Sequence, residues 1–222
     1  MNHDIGREYT GIPTFSGPTY EISKRYENDP DLDSLFHLCN ELLNMAYFAK
    51  LKYMYVCKLM KNMPDKMTLF FPTVVQSLCH ALIMDTARLY DIDGLSVHDV
   101  KRKSEAILRH KGAHTDVAEA ISSEICQSRN VFRDSDFKYA SDSLRTVRNK
   151  IYAHNDRNCC FNYYGLLFEH HLNLQNLSDM LDVVGRMCAV ILQALSDELI
   201  CEWSDAYFEK ATSDLSLTIS LN

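Results

Sequence analysis

Between Ser143 and Arg157 the chain places a guanidinium, an amide and an imidazole, those of Arg148, Asn149 and His154, within seven positions. Arginine offers a fixed fork of N–H donors that suits phosphate oxygens, and histidine, with an unperturbed pKa of about 6.5, both takes and gives a proton near neutral pH. Such a histidine suits proton transfer at a phosphate. Residues 131–160 carry six basic and four acidic side chains, although the whole chain carries 23 against 30 and a formal charge of −7. A histidine beside arginines resists a second positive charge, so His154 is expected to be a neutral base at cell pH. Arg145, Lys150 and Arg157 are the neighbouring cations, and each reads equally well as a contact to backbone phosphate and as a solvated surface charge.

On a regular helix a six-residue separation turns Arg148 and His154 roughly 120° apart, so they do not share a stripe. A long arginine can swing across that gap, the helix can loosen near Ala153, or a second copy can complete the site. The plainer alternative is that Arg148 pairs with a carboxylate on a neighbouring helix while His154 and Asn155 cap a helix C-terminus. Spacing alone leaves these readings open.

The elements that position these groups are helices. Gly and Pro contribute only 12 of 222 residues, too few for the turns of an all-β fold, and 46% of the chain is hydrophobic, enough for one core. Residues 1–30 hold three prolines and three glycines and read as an irregular arm. Apolar residues at three-and-four spacing predict helices over about 31–60, 66–90, 96–110, 115–127, 135–154 and 174–199, an all-α bundle of four to six helices filling 31–199. Residues 200–222 carry four acids against Lys210 and read as an acidic tail with a frayed end, to which Trp203 offers a dock.

Set in that bundle, the string from Arg148 to His154 resembles the R-x(4-6)-H signature of HEPN domains, including the polar residue after the arginine. The segment Met84 to Asp91, with Arg88-Leu89-Tyr90-Asp91 and a new helix beyond Ser96, is similar to the segment upstream of the motif helix in the AbiU-like abortive-infection branch. The resemblance covers about residues 31–195 and implies a HEPN-like bundle that dimerises and cleaves RNA without a metal or other cofactor. By position it makes His154 the general acid or base, Arg148 the phosphate holder and Asn149 the group that orients them. One branch of the family carries a modifiable tyrosine two residues after the histidine. Here that position is Asp156, which argues against control by that route, and Tyr152 before the histidine reads as core as readily as support. An inhibitory partner such as an antitoxin is implied with the toxin-like role.

Other chemistry is poorly served. His110 and His114 straddle Gly112 without a third ligand, and the adjacent pairs His170-His171 and Cys159-Cys160 point their side chains apart, so no metal site is expected. Phosphate-loop, nucleophile-elbow and dinucleotide motifs are absent from the sequence. Arg88 and Asp91, three apart, read as a structural pair or a tie between helices. Eight cysteines in no regular spacing suit a reducing cytoplasm, and the uncharged stretch Met67–Met84 contains Pro72, Gln76 and His80, so it reads as a buried helix and not a membrane span. The resemblance implies an endoribonuclease of the HEPN type, and the residues leave as its alternative a silent helical module that binds RNA or a protein.

Overall fold

A computed structural model describes residues 17–61, 70–92, 94–109, 115–150, 167–200 and 203–213. The described residues contain helices and turns and no strand. The helices are α1 (Pro30–Lys61), α2 (Phe70–Leu89), α3 (Val97–Arg109), α4 (Thr115–Arg133), α5 (Ser135–Arg148), α6 (Leu174–Leu195) and α7 (Asp205–Ala211). The all-α class expected from the periodicity is therefore the fold. No helix among the described residues is long and apolar enough to cross a membrane.

The core is the seam between α1, α2 and α6. At 1.5 Å per residue the 32-residue α1 is about 48 Å long, and it buries Leu35, Phe36, Cys39, Leu42, Leu43 and Ala46 in the core where α6, α2 and α3 pack on it. Helix α6 is apolar on most of its circumference, from Leu177 through Met187 to Leu195, because α1, α2, α4 and α5 all pack on it. Its start is fixed by Asn173 and Asn176, whose side chains each accept from the other's backbone N–H at 2.9 and 3.1 Å. Cys39 and Cys188 meet in this seam, and burial, then the neighbouring thiol, pushes Cys39 well above the ordinary thiol range. Cys39, Cys57, Cys79, Cys126 and Cys188 are all free thiols.

Residues 17–29, the described part of the arm, form no helix and close on the core: Ser23 donates its N–H to the Leu195 carbonyl at 2.8 Å, and Tyr26 is buried. Helix α4 runs to Arg133, past the polar Gln127–Asn130 that read as its end. Ser128 is buried there and donates to Glu124 at 3.2 Å, and Phe132 packs in the next turn against Phe137, with ring centroids 5.5 Å apart. Helix α6 stops four residues short of expectation, where Ser196 takes extended backbone and its hydroxyl donates to the Glu21 carbonyl.

The tail also departs from its composition. Ser204 caps α7, whose Phe208 is fully buried beside Trp203 at 4.9 Å. Trp203 thus docks the segment, as the sequence suggested, with its indole N–H donating to Asp182 at 2.8 Å. Residues 214–222, where fraying was expected, lie outside the described residues.

Candidate functional site

The carboxyl end of α5 is built by both of its ends. Asp134 caps the first turn by accepting from the N–H groups of Asp136 and Phe137 at 3.0 Å each. Ala140, Ser143, Leu144 and Val147 form the buried face. Arg145 and Arg148 in the last turn complement the negative end of the helix dipole. Beyond Arg148 the helix widens into a π-type turn at Asn149 and Lys150, a local unwinding of the kind that re-aims side chains at functional sites.

Arg148 is partly exposed, and its guanidinium is held twice. Nε donates to the Asn149 side-chain oxygen at 3.3 Å, and Nη1 pairs with the Asp91 carboxylate. Neither contact engages Nη2, which leaves donors for a ligand among the described residues. Asp91 is itself positioned from below. Helix α2 ends in a turn closed by the Tyr90 and Asp91 N–H groups, and the Tyr90 hydroxyl donates to the Met180 carbonyl of α6 at 2.8 Å. Rings of Phe132 and Phe137 flank Tyr90. Burial, ahead of Cys188 and Asp182, raises the Tyr90 phenol well above its usual range, so it stays a neutral donor.

A cleft of about 400 Å³ opens at this point between the end of α2, the start of α3 and α5. Arg145, Arg148 and Asn149 line it together with Asp91, His98 and Asp142. Three of the expected residues are therefore brought to one concave surface. Lys150 is not among its lining residues: its ammonium instead donates to Nε2 of His170 at 2.9 Å. His154, Tyr152, Asp156 and Arg157 lie outside the described residues, as do Ala153, His110, His114 and the Cys159-Cys160 pair.

The plain reading of Arg148 is met in one respect, since it pairs with a carboxylate from a neighbouring element. Asp91 is correspondingly the tie between helices that the sequence suggested, whereas Arg88 is exposed. His98 was missed. Desolvation, then the Lys101 ammonium, holds its pKa below the ordinary value against the opposing pull of Asp99, so it presents a neutral imidazole to the cleft. Nothing in its surroundings, Val97-His98-Asp99, marks it, because its role comes from α3 crossing near the end of α5. Among the described residues no three His, Cys, Asp or Glu side chains converge as metal ligands.

A family model described as AbiU2, of the HEPN class, matches residues 31–207. No curated protein and no solved structure gave a match.

Proposed function

Because the chain belongs to the AbiU2 family of HEPN domains, we propose that it is a metal-independent endoribonuclease that acts as a toxin-like, antiviral effector in abortive infection, working as a homodimer in the cytoplasm and restrained by an inhibitory partner. The family match supports the HEPN-type, abortive-infection-related role. The observation that supports catalysis is the placement of Arg148 at a cleft, just before a widening turn, with donors left over after its contacts to Asp91 and Asn149.

In this reading the ribose 2′-hydroxyl attacks the adjacent phosphorus and the bond to the 5′-oxygen breaks, leaving a 2′,3′-cyclic phosphate and a 5′-hydroxyl. His154 of one subunit takes the proton from the 2′-oxygen, and its counterpart in the second subunit returns a proton to the departing 5′-oxygen. Arg148 stabilises the charge that grows on the phosphate, Asn149 steadies Arg148, and Arg145 holds the flanking backbone in the same cleft.

The Arg148–Asp91 pair favours a second reading, a non-catalytic module that binds RNA or a protein, since a carboxylate already occupies part of the guanidinium. One experiment separates the two. Total RNA is incubated with the wild-type protein, His154→Ala and Arg148→Ala in EDTA. Cleavage by the wild type, abolished in His154→Ala and reduced about 100-fold or more in Arg148→Ala, supports the nuclease. Intact RNA with the wild type supports the binding module.

A further inference from the structure

On the face of α5 turned away from the cleft, since Tyr139 and Arg148 stand nine residues and so about 180° apart on the helix, lies a group of exposed rings that the nuclease reading does not use. Residues 167–169 form a short helical turn closed by two hydrogen bonds, Leu172 N–H to the Leu167 carbonyl and His171 N–H to the Phe168 carbonyl, each 3.0 Å. This is the Schellman closure, in which the residue at the His171 position takes left-handed backbone and is usually glycine. His171 indeed has φ +50°. A histidine in a glycine's place brings a ring, and the ring is flanked on two sides. Tyr139 of α5 lies 6.2 Å away and Phe168 6.5 Å, centroid to centroid.

These rings are not core. Phe168 is 82% and Tyr139 53% exposed, while Leu172, which closes the turn, is buried. Isolated exposed apolar residues are ordinary on a protein surface, but here three planar groups from two elements converge. Lys150 follows Tyr139 along α5, in the π-type turn at its end. The same turn that sets His171 beside Tyr139 sets His170 against the Lys150 ammonium, so a cation accompanies the rings along α5. The two histidines diverge as the sequence suggested, one to each partner.

We propose that Tyr139, His171 and Phe168 form a stacking platform for an unpaired base of single-stranded RNA, with Lys150 holding the adjoining phosphate. Planar rings beside a cation match a base beside its phosphate, and stacking requires the base to be out of a duplex. An aliphatic protein segment would find neither of these matched. The inference rests on the RNA reading above and adds to it a base-binding surface outside the cleft.

The test uses fluorescence anisotropy with a short 2′-O-methyl oligoadenylate, which lacks the attacking hydroxyl, and with its abasic counterpart of equal phosphate count. His171→Gly is the chosen variant: it removes the ring at a position whose backbone suits glycine, so the turn survives, as a thermal melt verifies. Tyr139→Ala is its companion. Each is expected to weaken oligoadenylate binding roughly ten-fold while leaving the abasic chain unchanged. Equal affinities for wild type and variants overturn the platform. A change of oligomeric state in His171→Gly with RNA binding intact overturns it too, and makes the rings a subunit contact. Because the probe is uncleavable, this outcome is independent of the nuclease: a wild type that cuts RNA without a base-dependent affinity loses only the platform, and one that binds bases without cutting loses only the cleavage.

Discussion

Arg148 is held through Nε and Nη1, so its position is set before any ligand arrives. The pair with Asp91 is partly exposed on both sides and contributes on the order of 1 kcal/mol to the fold. Asp91→Asn is therefore expected to lower Tm by only about 2–4 °C. It is also expected to tighten binding of an uncleavable RNA oligomer, because the competing carboxylate is gone. Unchanged affinity in that variant would place Arg148 outside the phosphate site. Local residue patterns reveal Arg148, Asn149 and the probability of a carboxylate partner, since charge and spacing are carried in the chain itself. Which carboxylate it is, and the arrival of His98 and Asp142 at the same cleft, depend on how α2, α3 and α5 cross, which no local pattern encodes.

At the scale of elements, α1, α6 and α7 are joined by a buried cation. Lys50 is fully buried, donates to Ser178 at 2.9 Å, and pairs with Asp182 at 2.8 Å and Asp205 at 3.0 Å. The partners are far more exposed than the lysine, at 38% and 73%. The costs of removal are thus unequal. Asp182→Ala leaves a buried ammonium short of its nearest carboxylate and is expected to cost about 3 kcal/mol, while Lys50→Met leaves two solvated carboxylates and costs clearly less, as urea denaturation would show. Equal losses would mean that the ammonium is not the desolvated member of the cluster. The same junction depends on Gly185, where an added Cβ would sit 2.1 Å from the Trp203 ring. Gly185→Ala is expected to cost about 1–3 kcal/mol and to shift the emission of Trp203, the chain's single tryptophan. Helix periodicity made α1, α3 and α6 legible because apolar residues recur at three-and-four spacing along their buried faces despite single polar positions such as Lys50, Ser104 and Ser178. The last turns of α4 and the whole of α7 were not, because polar Ser128 is buried only where α4 packs on α6, and Phe208 is buried by Trp203 and by Tyr47 of α1, far away in sequence.

For the whole molecule, the net charge of −7 opposes a polyanion, so binding depends on the local cations around α5 and should weaken steeply with salt. Acid stability carries a separate signature. Glu124 is buried, and that burial, outweighing the Ser128 hydrogen bond and Arg186, raises its carboxyl pKa. A raised folded-state value means that the group's contribution to stability is fully present below the unfolded carboxyl range and is lost as pH rises through the folded value. Glu124→Gln is therefore expected to raise Tm at pH 7 and to give no gain near pH 4; parallel curves for the two proteins would contradict the burial. The central claim concerns bond-breaking at a phosphate by His154 and Arg148. Its most direct measurement is the chemistry of the RNA ends: fragments made in EDTA by the wild type, and not by His154→Ala, are expected to terminate in 2′,3′-cyclic phosphate and to begin with 5′-hydroxyl. Fragments with 3′-hydroxyl and 5′-phosphate ends, or cleavage that persists undiminished in His154→Ala, would contradict it.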